Sequence, residues 1–468
     1  MTMIRSISGF RGTIGGSGSN NLTPLVIVQS TAGFGSWVLE YQGGQAASGF
    51  SGKPTIVVGR DARPSGEMVQ HLVMGTLQAM GIDVIDLGLS TTPTVEMAVV
   101  GEGAQGGIVL TASHNPVQWN ALKLLNAKGE FISADVGAEV IRRAGQDVAF
   151  APVEDLGIVR PIEGWIDRHI EAILALDLVD VEAIRAANFK VAIDAVHSTG
   201  GISVPPLLKA LGVNDIVELY CEPHGRFPHN PEPLPEHLTE LAKVVVEQGA
   251  DVGFSVDPDV DRLAMICEDG SPFGEEYTLV SVADYVLART PGAVVNNLSS
   301  TRALKDVAER HGVQCVSSAV GEVNVVNAMR DCNAIIGGEG NGGIIYPALH
   351  AGRDALLGIA LWLSHLADQG GTASELRAAL PQYVISKDKI QLEAGMDPGA
   401  LLDKFCADHA HLNPITVDGV KIDLPEGWVH LRRSNTEPIV RIYAEAATMQ
   451  EAKKLGDEYK AKLLVGAV

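Results

Sequence analysis

Cysteine is scarce in this chain, and so is positive charge. The five cysteines, Cys221, Cys267, Cys315, Cys332 and Cys406, are odd in number and scattered, with no CxxC pair among them. That excludes a disulfide framework or a zinc site built on paired thiolates, and it fits a reducing compartment. Lys and Arg total 35 against 57 Asp and Glu, a formal net charge of -22. Such a surface repels phosphate backbones, so no nucleic-acid partner is expected. An anionic substrate would need a local cluster of Arg and Lys against that background. Long apolar runs are missing too: no window reaches the roughly 18 uninterrupted apolar residues of a membrane span. Met1 to Ser8 lacks the apolar segment of a signal peptide. A cytoplasmic protein with no membrane partner is expected.

What the chain does have is length and glycine. Its 468 residues exceed what one hydrophobic core organises, so three or four domains are expected. The 51 glycines suit many tight turns between strands and helices. Thr55 to Gly59 reads as a strand with Arg60-Asp61-Ala-Arg63 as its exit loop, 65–80 as a helix, and Asp83 to Leu87 as the next strand. This alternation continues along the chain and predicts α/β layers with mostly parallel sheets. Segments are expected at 1–150, 151–255, 256–370 and 371–468, with Gly370-Gly371 as a hinge before the last.

Four loops carry chemistry. Gly107 to Leu110 is a buried strand that breaks into Thr111-Ala-Ser-His-Asn-Pro116, followed by Asn120-Ala-Leu-Lys123. Ser113 thus lies just past a strand's C-terminal end, where open α/β sheets place ligands. A serine there can carry a transferable group if a neighbour takes its proton, and His114 and Lys123 are the candidates. Second, the strand Asp251 to Val256 delivers Asp257-Pro-Asp-Val-Asp261-Arg262. In extended backbone, residues i, i+2 and i+4 share a side, so three carboxylates would converge around a cation. Oxygen-only ligands with open positions suit Mg²⁺. Third, Gly337-Gly-Glu-Gly-Asn-Gly-Gly343 sets Glu339 and Asn341 among five glycines. Such open backbone approaches a ligand closely, and Glu and Asn read hydroxyls. Fourth, Arg432-Arg-Ser-Asn-Thr-Glu-Pro438 supplies guanidinium, hydroxyl and amide donors from Arg432, Ser434, Asn435 and Thr436. That set can hold a phosphate dianion.

These four loops in this order resemble the α-D-phosphohexomutase family across essentially the whole chain. The resemblance implies four domains around a central cleft, three of mixed α/β sheet and a smaller α+β domain at the C-terminus. It implies Ser113 as the residue that carries phosphate in the resting enzyme. Asp257, Asp259 and Asp261, with a phosphoserine oxygen from Ser113, would form the Mg²⁺ site. Glu339 and Asn341 would read the sugar, and Arg432, Ser434, Asn435 and Thr436 would clamp its non-reacting phosphate. Arg11, His114, Lys123 and Arg262 match positions around the transferred phosphoryl group. Lys123 would be the base if burial beside cations lowers its pKa, with His114 competing. Val260 stands where the family commonly has glycine. A hexose 1,6-bisphosphate would serve as intermediate and primer. The wording of the first, third and fourth loops looks most like the phosphoglucosamine mutase branch, with phosphomannomutase/phosphoglucomutase close. The expected partner is a small sugar phosphate, and the oligomeric state is left open between monomer and homodimer. A Mg²⁺-dependent sugar phosphatase and a non-catalytic sugar-phosphate binder are the readings from other classes.

Overall fold

The serine-bearing strand lies inside a seven-stranded sheet. In the computed structural model, which describes residues 4–6, 9–16, 21–45, 52–392, 397–433 and 439–465, this sheet is built from β1 (Ile4–Ser6), β2 (Gly9–Thr13), β3 (Thr55–Arg60), β4 (Asp83–Leu89), β5 (Gly106–Leu110), β6 (Trp119–Leu125) and β7 (Val159–Pro161). Its order is β1-β2-β6-β5-β3-β4-β7. The expected mostly parallel sheet is corrected here to a mixed one. Pairings β5·β3, β3·β4 and β4·β7 are parallel, while β1·β2, β2·β6 and β5·β6 are antiparallel. The physical reason is loop length: the connection from Leu110 to Trp119 is too short for a crossover, so β6 folds back beside β5. Close approach of β2 to β6 requires Gly9, whose added Cβ would lie 1.9 Å from the Leu122 carbonyl oxygen.

The next sheet repeats the device. Strands β8 (Lys190–Asp194), β9 (Asp215–Leu219), β10 (Val252–Val256) and β11 (Leu263–Cys267) take the order β11-β10-β8-β9. Strand β8 is parallel to β9 and β10, and β10 turns straight back into β11. The serine loop and the three-Asp loop are therefore both tight returns at the C-terminal ends of β5 and β10.

The chain divides into two compact units, one comprising Met1–Thr278 with Gly342–Ser374 and the other Leu279–Asn341 with Glu375–Val468. The first unit holds both sheets above. In chain order β12 (Val294–Asn297) comes next, and it belongs to the second unit. The second unit contains β12, β13 (Cys315–Ser318) and β14 (Ile336–Glu339), with β12 parallel to both others. Returning to the first unit, β15 (Gly343–Tyr346) and β16 (His350–Arg353) pair antiparallel and lead into a helix, Ala355–Gln369. Residues 355–366 of that helix are all buried, and Trp362 packs edge-on against Phe254 and Phe273. A helix apolar on every side belongs in a core.

The second unit closes with an antiparallel sheet of order β17-β20-β19-β18, from β17 (Val384–Gln391), β18 (Val420–Asp423), β19 (Gly427–Arg433) and β20 (Ile439–Ala446). Helices Pro398–Asp408 and Met449–Val465 supply Leu401, Phe405, Leu455 and Leu463 to its core with Val429 and Ile442. Mixed α/β sheets followed by a small α+β domain is the expected class. No helix among the described residues is long and apolar enough to cross a membrane.

Candidate active site

Ser113 sits on the loop after β5 with φ at +47°, a left-handed backbone that costs a non-glycine residue about 1–2 kcal/mol. Such strain persists only where surroundings over-determine it. Here the surroundings are Arg63. Its guanidinium is buried, pairs with Asp61 Oδ2 at 2.9 Å, and donates to the backbone carbonyls of Ser113, Asn115 (2.7 Å), Pro116 (2.8 Å) and Trp119 (3.1 Å). Asp61 in turn accepts from the Thr111 hydroxyl at 2.7 Å, and Thr111 Oγ1 accepts the Ser113 N–H at 2.9 Å. The exit loop of β3 thus fixes the neighbouring loop of β5.

The three carboxylates converge, with ligand oxygens within 4.8 Å of one another. They do so by a turn and not by the extended backbone expected. The Val260 N–H donates to the Asp257 carbonyl at 3.0 Å, and Val260 has φ at +63°. Asp257 Oδ1 accepts the N–H groups of Asp261 (3.1 Å) and Arg262 (3.2 Å), which closes the turn. Asp257 Oδ2 then faces Ser113 Oγ at 2.6 Å. Asp259 Oδ2 accepts from Lys123 Nζ (2.6 Å) and the Thr92 hydroxyl (2.5 Å). Asp261 Oδ2 accepts from Arg353 Nη2 (2.7 Å) and Lys123 Nζ (3.1 Å).

Two buried oxygens, Asp259 Oδ1 and Asp261 Oδ1, are left without a hydrogen-bond donor. A divalent cation is the group that satisfies converging, donor-free carboxylate oxygens, and the oxygen-only set suits Mg²⁺. The electrostatics agree. Burial and repulsion from Asp261 and Asp259 hold the Asp257 carboxyl well above its ordinary pKa. For Asp261, burial is outweighed by Arg353, Lys123 and Arg262, which keep it ionised far below the usual range. Asp259→Asn is expected to weaken Mn²⁺ or Mg²⁺ binding at least about 10- to 100-fold, the range that even outer-sphere changes reach. Titration calorimetry on the apo protein checks this, and an unchanged affinity would refute the assignment.

The cations expected around the phosphoryl group are here too. Strand β2 carries Arg11 alongside β6, and Arg11 Nη1 reaches Asn115 Oδ1 at 2.9 Å. Arg262 Nε lies 3.9 Å from Asp261 Oδ1. His114 Nδ1 is 3.4 Å from Ser113 Oγ. Burial first, then Arg262 and Arg11, push the His114 imidazole well below its ordinary pKa, so it is unprotonated at neutral pH. Lys123 shifts the other way: burial works against its charge, but Asp259 and Asp261 outweigh it and raise the ammonium. The condition set for Lys123 as a base is therefore not met in this arrangement. With Arg353, the cations Arg11, Lys123 and Arg262 make four around three carboxylates in a chain whose net charge is -22.

Glu339, Asn341 and Arg432 belong to the second unit. Glu339 Oε1 accepts from Asn297 Nδ2 (2.9 Å) and the Gly321 N–H (3.0 Å), while the Gly340 N–H donates to Ser300 Oγ (2.9 Å). Arg432 pairs with Asp418 Oδ2 at 3.1 Å, and the same oxygen accepts the Val320 N–H at 3.1 Å. Consecutive amides of the Val320–Gly321 turn therefore tie Arg432's partner to Glu339. Ser434, Asn435 and Thr436 lie outside the described residues. Sequence reading missed Asp61, Arg63, Thr92, Glu232, Asn297, Arg353 and Asp418. Glu232, from the proline-rich 224–235 loop, sits 3.7 Å from Arg262 and 4.0 Å from His114. The available signal was position: Asp61 and Arg63 follow a strand that neighbours the serine strand.

Comparison with known proteins gives four consecutive family matches. They are described as phosphoglucomutase/phosphomannomutase alpha/beta/alpha domain I over residues 4–149, domain II over 167–270, domain III over 274–383, and the C-terminal domain over 389–462. A "Phosphoglucomutase/phosphomannomutase" of Thermococcus kodakarensis is 36% identical over 95% of this chain and 96% of its own. A "Probable phosphoglucosamine mutase" of Methanopyrus kandleri is 32% identical over 90% and 92%. Among solved structures, a phosphoglucomutase/phosphomannomutase family protein from Burkholderia thailandensis superposes with a TM-score of 0.83 at 27% identity, covering 99% of this chain and 97% of that one.

Proposed function

The chain belongs to the phosphoglucomutase/phosphomannomutase family of α-D-phosphohexomutases, and on that premise we propose that it converts glucosamine 6-phosphate to glucosamine 1-phosphate through phosphoserine 113 and a hexose 1,6-bisphosphate. It is an enzyme, an intramolecular phosphotransferase of hexose phosphates. The observation that carries the mechanism is the approach of Ser113 Oγ to Asp257 Oδ2 at 2.6 Å, beside two donor-free carboxylate oxygens and amid Arg11, Lys123, Arg262 and Arg353.

Asp257, Asp259 and Asp261 would hold Mg²⁺, which would supply charge neutralisation at the phosphoryl oxygens. The rest falls to the chain. Phosphoryl transfer needs positioning and compensation of charge more than covalent assistance. In the first step the Ser113 Oγ–P bond breaks, a bond from phosphorus to the sugar hydroxyl oxygen forms, and that hydroxyl's proton passes by way of a base to the departing Ser113 Oγ. After the bisphosphate turns over, its other O–P bond breaks, Ser113 Oγ recovers a phosphoryl group, and the proton returns to the freed sugar oxygen. His114, unprotonated beside Ser113, is in the form that accepts a proton, whereas Lys123 is held charged by two carboxylates. Arg11 and Arg262 compensate charge on the moving group. Glu339 and Asn341 read sugar hydroxyls, and Arg432, with Ser434, Asn435 and Thr436, grips the distal phosphate.

For the amino sugar, support comes from the wording of Ser6 to Thr13, Gly337 to Gly343 and Arg432 to Pro438, and from relatives named phosphoglucosamine mutase. The rival substrates, mannose and glucose phosphates, have support in the Thermococcus kodakarensis and Pseudomonas putida relatives. A phosphorus NMR time course with Mg²⁺ and a trace of hexose 1,6-bisphosphate separates them. Glucosamine 1-phosphate is expected to convert faster than mannose or glucose 1-phosphate. The reverse order would overturn the amino-sugar assignment, and release of free phosphate without any 6-phosphate would overturn the mutase mechanism.

A further inference from the structure

Behind the three-Asp loop lies a buried cluster of two histidines and two carboxylates that the mechanism above does not use. Asp354 Oδ2 accepts from His169 Nε2 at 2.8 Å and from His350 Nε2 at 3.2 Å. The other face of His350 meets Glu96 Oε2 at 3.2 Å. All four side chains are nine-tenths or more buried. His350 thus stands between two carboxylates as a cation. Burial opposes that charge, but Asp354 and Glu96 outweigh it and push His350 up to about 10. Neither Glu96 oxygen has a donor in hydrogen-bond geometry, so removing the ion-paired imidazolium would strand it.

The cluster joins two elements that touch the carboxylates of the metal loop. Glu96 lies on the helix Thr92–Gly101. The first residue of that helix, Thr92, donates from its hydroxyl to Asp259 Oδ2 and from its N–H to the Asp259 carbonyl at 2.9 Å. His169 reinforces the same helix end through Thr94 Oγ1 at 3.0 Å. His350 and Asp354 flank Arg353, whose guanidinium meets Asp261 Oδ2 at 2.7 Å. The Ala355 N–H donates to the Val260 carbonyl at 3.1 Å, and Asp354 Oδ1 caps the helix that follows by accepting from Leu356 (2.9 Å) and Leu357 (3.1 Å). The fit at Glu96 is tight: a Cβ on Gly352 would lie 1.8 Å from Glu96 Oε2.

We propose that Glu96, His350, Asp354 and His169 are positioning residues that lock Thr92 and Arg353 in place and thereby orient Asp259 and Asp261 for the divalent cation. The proposal rests on the reading of the three-Asp loop as the metal site. The contacts within the cluster are two hydrogen bonds on Asp354 and an ion pair between His350 and Glu96, each from an imidazole nitrogen to a carboxylate oxygen.

The test is Mn²⁺ titration calorimetry on the full-length apo protein, with wild type, His350→Gln, Glu96→Gln and Asp259→Asn compared well below their melting temperatures. His350→Gln is expected to raise the Mn²⁺ dissociation constant on the order of tenfold, as loss of an outer-sphere partner commonly does. Glu96→Gln, the milder change, keeps the test open if His350→Gln does not fold, and is expected to weaken binding at least about threefold. A merely structural cluster would lower melting temperature and leave Mn²⁺ affinity unmoved. A folded His350→Gln or Glu96→Gln protein that binds like wild type, while Asp259→Asn does not bind, would overturn the proposal alone. Wild type that fails to bind, or Asp259→Asn that binds normally, would overturn the metal reading and the proposal with it. A second tightly held divalent ion in purified wild type, lost in His350→Gln, would also overturn it, by making the cluster a metal site.

Discussion

Ser113→Ala is expected to reduce hexose phosphate turnover by on the order of 10⁴-fold or more, because in the proposed mechanism Ser113 Oγ carries the phosphoryl group between the two transfers. The effect should fall on chemistry and leave the fold intact. Alanine suffers about the same left-handed backbone cost as serine at φ +47°, and Arg63 holds the loop by its carbonyls, which the substitution leaves in place. Incubation with hexose 1,6-bisphosphate followed by intact mass measurement supplies the second readout. Wild type should gain one phosphoryl group and Ser113→Ala none. Turnover within about tenfold of wild type would refute the phosphoserine role.

Arg63→Met carries the largest expected stability effect. The Arg63 and Asp61 side chains are fully buried, and each is the other's counter-charge. Removing one partner of a buried pair costs about 3–5 kcal/mol, because the other charge stays buried and uncompensated. Burial already raises the Asp61 carboxyl against the pull of Arg63, so without Arg63 it moves further up, and uptake of a proton would relieve part of that cost. The same substitution frees four carbonyls of the serine loop, and a misplacement of about 1 Å in a reacting group can cost about 10²-fold in rate. Hydrogen exchange at the amides of β5 and β6 should report the loss locally. The double variant Asp61→Asn with Arg63→Met should recover part of the stability, since no charge is then left buried, while activity stays low for want of the guanidinium fork. Arg63→Met with unchanged protection and unchanged rate would remove Arg63 from this account.

The four loops were legible because their chemistry is local. Ser113 and His114 are adjacent in the chain, and the Asp trio spans five positions. A strand of apolar residues announced each loop, and a break in pattern placed each loop at the strand's end. The geometry of the Asp trio was not legible. Alternation in extended backbone and a turn with Val260 left-handed both bring three carboxylates together, and the sequence pattern is the same for both. Strand β11 escaped notice for a similar reason: Leu-Ala-Met-Ile-Cys is a short run buried on all sides, without a period to distinguish strand from helix.

By itself the amino-acid sequence determined the α/β class and placed the serine loop and the three-Asp loop at the ends of strands, because these depend on neighbours a few positions apart. Tertiary structure alone decided which charges meet. Lys123 is 136 positions from Asp259, Arg353 is 92 from Asp261, and Arg63 is 50 from Ser113. Sheet pairing and short return loops bring them within hydrogen-bond distance. Those encounters set the protonation of Lys123 and His114 in opposite senses, because a pKa answers to the charges and burial around a group and not to its place in the chain.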